Sequence, residues 1–438
     1  MKLKPYKKYK DSGIPWIGEI PEHWEVKKLK YLSKINSDVL SEKTEEEFEF
    51  IYIDISSVDS NGKLSDFKLI KFKDSPSRAR RLVKYGDTIV STVRTYLKAI
   101  TFIDRKEENL ICSTGFAVIQ PNKKYFFPKY IYYMFCTQKI IDLISSLSRG
   151  VSYPAIDSEE IKNIMVLKPP IEEQKMISNF LDRKTSQVDD LISKKKRLIE
   201  LLEEEKTAII NQAVTKGIDP NAPMKDSGIP WIGEIPEHWE IKKLKYCANI
   251  KYGLGEPPKQ KENGLPLIRA TNITRGKIVE KDMIFVDPEY IPYDRDPILK
   301  VNDIIVVRSG AYTADSAIIP KKYEGAITGY DMVVRSIVEN PIFISYCLLS
   351  DYILKNQLYL LKLRAAQPHL NREDLGETLI IIPRKTEQDK IVKYIQKHID
   401  KIEYTNSKIE KEIILLNEYR TSLISEAVTG KIDVRNES

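Results

Sequence analysis

Residues 10–31 of this chain read KDSGIPWIGEIPEHWEVKKLKY, and residues 225–246 repeat that stretch with a single change, Val26 to Ile241. We call these stretches the first and second Trp blocks. They contain every tryptophan of the chain: Trp16, Trp24, Trp231 and Trp239. An internal repeat outranks other sequence signals, because overlooking it misreads the whole fold. The repeat predicts a protein that is built twice over.

Further landmarks follow each Trp block in the same order. The matched pairs are Asp87–Val90 with Asp303–Val306, Glu173-Gln174 with Glu387-Gln388, and residues 213–219 (AVTKGID) with 427–433 (AVTGKID). Between the landmarks the copies differ. Acidic residues 45–50 have no counterpart in the second copy, and residues 253–258 (GLGEPP) have none in the first. The sequence therefore predicts a shared frame that carries private inserts.

Composition narrows the class of protein. The length of 438 residues allows two to four domains. The cysteines are far apart and form no metal-ligand spacing with the histidines, which argues against zinc and disulfides: Cys112, Cys136, Cys247 and Cys347. No secretory or membrane-spanning run is evident, so we expect a cytoplasmic protein. The net charge of +7 permits contact with nucleic acid.

Two long charged segments read as helices. Residues 171–214 contain no glycine or proline, and Gly217 and Gly430 stand where helices should stop. In the second segment apolar residues recur every seven positions, which is the coiled-coil period. The predicted helix seam consists of Leu181, Val188, Ile192, Ile199, Leu202, Ile209, Ile395, Ile402, Ile409, Leu416 and Leu423. Lys195 occupies a seam position, where a lone lysine lowers stability but can fix register.

These helices have two possible arrangements. Each could lie on its own domain, or the two could pair with each other. We favour antiparallel pairing, because the two seams match in length and neither helix alone buries its apolar stripe. Some 44 residues at 1.5 Å rise would make a rod about 66 Å long.

The predicted fold class is α+β, with two globular mixed α/β domains joined by two long helices in an antiparallel coiled coil. The predicted domains are 1–167 and 218–382, with spacer helices at 168–217 and 383–438. Predicted strands are 49–55, 87–93, 116–120, 161–167, 266–273, 303–307, 332–337 and 379–382, and predicted domain helices are 128–147 and 341–361.

Catalytic motifs are absent from the sequence. Residues 13–19 have the glycine spacing of a phosphate loop, but Glu19 stands where that loop needs lysine. Glu25-Val26-Lys27 and residues 240–242 look like half of a nuclease metal motif, yet each is preceded only by one loop acid. A solvated polar face explains them more simply. We predict no catalytic residues, no metal site and no cofactor on this chain.

Basic and aromatic residues near the private inserts are the candidate DNA contacts. Arginine reads guanine, asparagine and glutamine read adenine, and lysine or arginine neutralise phosphates. The candidates are Arg78, Arg80, Arg81, Lys84, Arg94, Tyr96, Lys98, Ser152, Tyr153, Arg269, Asn272, Arg275, Arg308, Tyr312, Arg364 and Gln367. Any single one of them is more often an ordinary surface side chain that contacts no partner.

The Trp blocks have a structural and a functional interpretation. Two tryptophans and two prolines in so short a span predict a rigid apolar tie between a domain and the rod. A docking face for a partner is the alternative, and two such faces would recruit two copies of the same partner.

The order of these parts resembles the specificity subunit of Type I restriction-modification systems. The stretch IPEHWEVKKL after residue 19 looks like that family's start, and Lys168–Gln174 (KPPIEEQ) looks like its leader into a long helix. Residues 383–388 (PRKTEQ) keep one proline and the Glu-Gln pair. The resemblance covers nearly the whole chain.

The resemblance implies a division of labour. Each globular domain would be a target recognition domain that reads one half of a bipartite, asymmetric double-stranded DNA target. Two methyltransferase subunits would dock on the helices and bring S-adenosylmethionine, and two translocase-nuclease subunits would bring ATP and Mg²⁺. The rod would span at most roughly 19 base pairs.

Two other classes of function stay open. One is a non-catalytic coiled-coil scaffold with two protein-binding lobes, which would show little affinity for duplex DNA. The other is a self-sufficient nuclease, which would need carboxylates that the sequence does not supply.

Overall fold

A computed structural model describes residues 4–59, 61–65, 67–362 and 369–437. The chain divides into two compact units, the first formed by Met1–Lys195 with Lys411–Ser438 and the second by Lys196–Glu410. Both units combine helices with mixed sheets, and both include parts of the two long helices. The predicted α+β class, with two globular parts and two long helices, is confirmed.

The first unit contains two four-stranded sheets. The strand orders are Lys68–Lys71, Glu49–Ile53, Leu110–Ser113, Ala79–Val83 in one, and Ser33–Ile35, Phe116–Pro121, Thr88–Ser91, Ile100–Phe102 in the other. Two-stranded sheets pair Tyr9–Asp11 with Glu19–Pro21 and Glu25–Lys28 with Met165–Lys168. Its helices are Pro128–Phe135, Gln138–Leu147, Ser158–Lys162 and the start of Ile171–Lys216, which we call the first long helix.

The second unit repeats much of this plan. Its four-stranded sheet has the order Ala248–Tyr252, Met332–Ser336, Ile304–Val306, Ser316–Ile318, and its three-stranded sheet the order Ile284–Val286, Gln260–Ile268, Ile327–Thr328. Two-stranded sheets pair Met224–Asp226 with Glu234–Pro236, Glu240–Lys243 with Leu379–Ile382, and Ile273–Thr274 with Lys277–Ile278. Its helices are Leu244–Cys247, Pro341–Leu349, Asp351–Ile353, the π-helix Leu354–Leu358, Tyr359–Lys362, Arg372–Glu377 and the start of Lys385–Val428, the second long helix.

The shared frame and the private part of each unit lie in different sheets. The four-stranded sheet that contains Thr88–Ser91 has the same strand order as the sheet that contains Ile304–Val306. The other sheets differ, because the edge strand Ala79–Val83 corresponds in the second unit only to a single bridge between Ile298 and Ile327. Divergence of sequence between the copies is thus accompanied by divergence of one sheet.

The long helices pair in an antiparallel manner within each unit. In the first unit Asp189 lies 3.0 Å from Arg420, and Lys195 pairs with Glu412. In the second unit Asn406 donates to Glu203 at 2.9 Å, and Lys206 lies 3.4 Å from Glu403. Residue numbers rise along one helix as they fall along the other. The alternative, in which each helix lies only on its own domain, is therefore wrong.

The predicted seam side chains lie toward the inside of these helix pairs. Leu181, Val188, Ile192, Ile395, Ile402, Ile409 and Leu423 are buried, and Ile199, Leu202, Ile209 and Leu416 are half-buried. The exposed positions of the two helices carry charged residues and also the apolar residues Leu198, Leu201, Ile414 and Leu415. Among the residues that the structure describes, no helix is both long and apolar enough to cross a membrane.

The Trp blocks tie the two long helices together at their ends. In the first unit the Trp24 indole donates to Glu173, at the start of the first long helix, at 2.7 Å, and an added Cβ on Gly430, just after the second, would lie 3.1 Å from its ring. In the second unit Trp239 donates to Glu387 at 3.1 Å and packs on Gly217. The rigid-tie interpretation thus fits Trp24 and Trp239, which are fully buried.

Four predicted elements need correction. The predicted strand 266–273 ends at Ile268 and is followed by the 3-10 helix Ala270–Asn272. Residues 161–167 are not one strand, because a capping box of Asp157 and Glu160 starts the helix Ser158–Lys162 before the strand Met165–Lys168 begins. The predicted helices 128–147 and 341–361 are each broken. At the breaks the hydroxyls of Thr137 and Ser350 donate to carbonyls three residues earlier, which ends the preceding helix.

Candidate nucleic-acid interface

In the first unit, two loops that are distant in sequence form one surface. The Arg94 amide donates to the Pro154 carbonyl at 2.8 Å, and the Ile156 amide donates to Thr92 at 2.9 Å. A further bridge joins Val93 to Ala155. Candidates from two separate stretches of sequence therefore share one face.

We define the first loop face as Arg94, Tyr96, Ser152 and Tyr153, all of which are exposed. The Arg94 guanidinium stacks 4.6 Å from the centre of the Tyr153 ring. Arg94 has φ 51° and Lys98 has φ 55°, a left-handed conformation that is costly for residues with a side chain. Such strain clusters at functional loops. An arginine stacked on an exposed aromatic ring suits contact with nucleic acid.

The second unit builds a denser surface at the equivalent place. The Arg308 guanidinium lies over the rings of two tyrosines, 4.4 Å from the Tyr252 ring centre and 4.2 Å from that of Tyr330. Gly253 makes this possible, because an added Cβ there would overlap the carbonyl of Gly329. The close backbone approach brings the neighbouring residues Tyr252 and Tyr330 to one arginine.

Further polar groups surround Arg308. Its Nη2 lies 3.1 Å from His369 Nε2, and the Arg372 guanidinium lies 6.0 Å from the Tyr252 ring. Tyr312 lies on the loop that follows Arg308 and is exposed. We define the second loop face as Tyr252, Arg308, Tyr312, Tyr330, His369 and Arg372.

A buried carboxyl supports this face from below. The Asp331 side chain accepts the backbone N–H of Arg308 at 3.2 Å. Burial raises the pKa of Asp331 to about 6, and the nearby Arg308 partly opposes the rise. The Nε donors of Arg269 and Arg308 are buried without a hydrogen-bond partner among the described residues.

Matched positions in the two units carry different chemistry. Thr92 and Arg308 occupy the same place, because each carbonyl accepts an amide from the segment before the last short helix, from Ile156 and Leu370 respectively. Asp54 and Arg269 both precede the short helix after the first strand of the private sheet. A threonine thus corresponds to an arginine, and an aspartate to an arginine.

The remaining candidates of the first unit lie on or beside the strand Ala79–Val83, apart from Lys98, which ends the short helix that follows Arg94. Arg78 and Lys84 stand at opposite ends of the strand Ala79–Val83 and pair with Asp54 at 2.6 Å and Asp38 at 2.7 Å. Arg80 stacks 5.0 Å from the Phe72 ring, and Lys98 donates to Gln138 at 3.0 Å. Arg81 is half-buried, and burial lowers its pKa.

Two candidates of the second unit need correction. Asn272 is fully buried, and its amide donates to the carbonyls of Val279 and Lys281 at 3.1 and 3.0 Å, so it supports a turn and cannot reach a base. Arg275 lines a groove with Glu203 of the first long helix, so part of its surroundings is protein and not open surface. Arg364 and Gln367 lie outside the described residues.

Sequence reasoning missed Tyr252, Tyr330 and Arg372. A signal was available for the first of these, since Tyr252 immediately precedes the private segment 253–258. Nothing local marks Tyr330 or Arg372, because only the fold brings them to Arg308.

The nuclease-like stretch of the first Trp block is a set of ion pairs. Glu25 lies 3.4 Å from Lys168 and 3.6 Å from Lys27. Lys168 lowers the pKa of Glu25. In the part of the chain that the structure describes, no cluster of three histidine, cysteine or acidic side chains is arranged to hold a metal ion.

Comparison with known proteins gives a consistent result. The family model described as Type I restriction modification DNA specificity domain matches residues 21–201 and 236–414. The MjaVIII specificity subunit of Methanocaldococcus jannaschii is 30% identical over 69% of this chain and 71% of its own length. The MjaX specificity subunit of the same organism, a putative type I restriction enzyme, is 28% identical over 96% of both chains.

Solved structures share the fold. A chain from a type I R-M system, studied for complex assembly and conformational transition, matches with a TM-score of 0.74 and 20% identity over 94% of this chain and 99% of its own. The HsdS subunit from Thermoanaerobacter tengcongensis matches with a TM-score of 0.51 and 21% identity over 94% and 98%.

Proposed function

Because the chain belongs to the family of Type I restriction-modification DNA specificity subunits, we propose that it selects the DNA target of such a complex. Each unit reads one half of a bipartite, asymmetric sequence in double-stranded DNA. The recognition domains are residues 1–167 and 218–382, and the spacer helices are 168–217 and 383–438.

One observation carries this proposal: a common sheet supports loop faces of unlike chemistry. The first loop face has one arginine over one tyrosine ring, whereas the second has one arginine over two tyrosine rings, with a histidine and another arginine nearby. A protein that bound two copies of the same sequence would need like faces. Unlike faces on like frames suit a target whose halves differ.

The chain supplies recognition, and partner subunits supply the chemistry. Two methyltransferase subunits, one at each Trp block and helix pair, bring S-adenosylmethionine. Two translocase-nuclease subunits bring ATP and Mg²⁺. The duplicated ties at Trp24 and Trp239 support a pair of equivalent docking surfaces. The complex works where cellular DNA lies, in the cytoplasm.

Domain exchange tests the proposal. Residues 32–165 are replaced by the matching segment of another family member, and the exchanged chain is purified with its methyltransferase partner. Mapping of methylated adenines should show one half of the motif changed and the other half retained. Exchange of 247–380 is the reciprocal control and should change only the other half. A change in both halves, or in neither, from either exchange would contradict the proposal.

A further inference from the structure

We infer that the second unit reads a guanine through Arg308, with Tyr252 and Tyr330 as positioning residues. This inference rests on the proposed function and goes beyond it by assigning one base to one side chain. The two acceptors of guanine, O6 and N7, match the planar fork of an arginine side chain, and this pairing is the commonest specific contact to DNA.

Two tyrosine rings restrict the Arg308 guanidinium before DNA arrives. Its central carbon lies 4.4 Å from the Tyr252 ring centre and 4.2 Å from that of Tyr330. Tyr252 and Tyr330 are 37% and 45% exposed, so this group of side chains reaches the surface. A side chain that is already ordered loses less entropy on binding, and guanidinium stacking on aromatic rings is favourable.

Two neighbours of Arg308 fix its main chain and the orientation of its guanidinium. The Asp331 carboxyl accepts the backbone N–H of Arg308, which anchors the main chain and leaves the side chain to other partners. The His369 imidazole lies 3.1 Å from Nη2 and sets the rotation of the fork about its axis. An arginine that served only to neutralise a phosphate would not need such orientation.

The first unit differs at the matched positions. Thr92 stands at the position of Arg308, and Gly115 stands at the position of Tyr330 on the matching strand connection. The contact inferred for Arg308 therefore belongs to the second half of the target, and the first half-site serves as the control.

The test uses the full-length chain with its methyltransferase partner. Methylation mapping of the wild-type complex first defines both half-sites. Duplexes in which each base pair of the target is replaced in turn are then compared by competition binding. For one G·C pair of the second half-site, replacement should weaken wild-type binding by about 5- to 150-fold. Arg308→Ala should bind the original and replaced duplexes equally within about 2-fold.

A second variant guards against misfolding. Arg308→Gln keeps a planar hydrogen-bonding group and should also lose the preference for guanine at that position, while every first half-site preference is retained. Tyr330→Phe keeps the ring and should retain discrimination, whereas Tyr330→Ala should reduce it. A residue that only stabilised the fold would show no such dependence on base identity.

Three outcomes would overturn the inference. The first is that Arg308→Gln keeps the guanine preference, and the second is that replacement effects are the same in wild type and Arg308→Ala at every position. A uniform loss of affinity for all duplexes, with a salt slope lower by about 1, would indicate a phosphate contact instead. If exchange of 247–380 changes the second half of the motif while these variants do not, only this inference fails. If the exchange also has no effect, the proposed function fails as well.

Discussion

Gln174 is fully buried and holds the start of the first long helix to its domain. Its amide oxygen accepts from the Phe127 N–H at 2.8 Å, and its nitrogen donates to Pro169 at 2.8 Å. Gln388 makes the equivalent pair of bonds, from Asn340 at 2.8 Å and to Pro383 at 2.9 Å. A buried amide that satisfies otherwise unpaired backbone groups explains why both copies contain this glutamine.

Glu173 and Glu387, which precede these glutamines, occupy matching positions but differ in burial and in partners. Glu173 accepts from His23 at 2.8 Å and from Trp24 at 2.7 Å, and Arg435 lies 3.2 Å away. Glu387 accepts from the matching histidine at 2.7 Å and tryptophan at 3.1 Å. The Glu173 side chain is 9% exposed and that of Glu387 is 27% exposed. The arginine thus serves the more buried of the two carboxylates.

Two matched aspartates on the shared sheet also differ. Arg335 donates to Asp303 at 2.8 and 2.7 Å. The equivalent partner of Asp87 is Gln120, on the matching strand. Burial raises the pKa of Asp87 from 3.8 to about 6. A carboxyl without an arginine therefore holds its proton more tightly in the folded state than in the unfolded state.

This pKa predicts a pH dependence of stability. Between about pH 4 and 6 the unfolded chain releases the Asp87 proton first, so the free energy of unfolding falls as pH rises through this range. Asp87→Asn should remove the fall in the free energy of unfolding that is due to Asp87, about 1–3 kcal/mol. Urea denaturation of wild type and variant at pH 4.5 and 7.5 measures the difference. The raised pKa of Asp331 gives the same pH dependence in the wild type and in the Asp87→Asn variant. If the free energies of unfolding of the two proteins changed in parallel with pH, the assignment to Asp87 would be contradicted.

At the scale of the elements, the glycine after each long helix is a packing requirement. Gly430 has φ 72°, and an added Cβ would overlap Pro21 of the first Trp block. Gly217 has φ 76°, and its added Cβ would lie 3.2 Å from the Trp239 ring. Each glycine thus ends its long helix and also leaves the space that the Trp block occupies.

Alanine substitutions separate backbone strain from packing. Gly430→Ala should lower the free energy of unfolding by about 3 kcal/mol or more, because left-handed strain adds to steric overlap. Gly13→Ala is the matched control, since Gly13 also has positive φ, 71°, but has nothing within 4 Å of an added Cβ. It should cost only about 1–2 kcal/mol. Urea denaturation followed by tryptophan fluorescence measures both, and equal losses would refute the packing role.

At the scale of the whole molecule, the first unit is assembled from both ends of the chain. The Asp433 amide donates to Lys4 at 2.8 Å, and the Tyr9 hydroxyl donates to Gly430 at 2.9 Å. The core of this unit includes Leu423 and Val428 of the second long helix. Its integrity therefore depends on residues that are last in the sequence.

Removal of residues 411–438 should affect the two units unequally. The first unit loses part of its core, whereas the second retains Ile391 and Ile395 in its own. Hydrogen exchange should show faster amide exchange in helix Pro128–Phe135 by at least about 10-fold, with helix Pro341–Leu349 nearly unchanged. The second unit serves as the internal control. Equal loss of protection in both would mean that the chain folds as one cooperative body.

Local patterns were sufficient for the repeat and the long helices. The seven-residue spacing from Ile395 to Leu423 arises from side chains on one helix face, and the repeated Trp block is visible by inspection. The helix breaks at Thr137 and Ser350 were missed, because a single hydroxyl competes with apolar periodicity that continues across it.

The sequence by itself determined that this chain is duplicated, that two helices carry matched apolar seams, and which family it resembles. Only the tertiary structure decided which basic residues share a face. Arg308 meets Tyr252 and Tyr330 through sheet register and the close approach at Gly253, whereas Asn272 turns inward to support a backbone turn. Periodicity is fixed by neighbours along the chain, but a recognition surface is fixed by contacts between residues far apart in sequence.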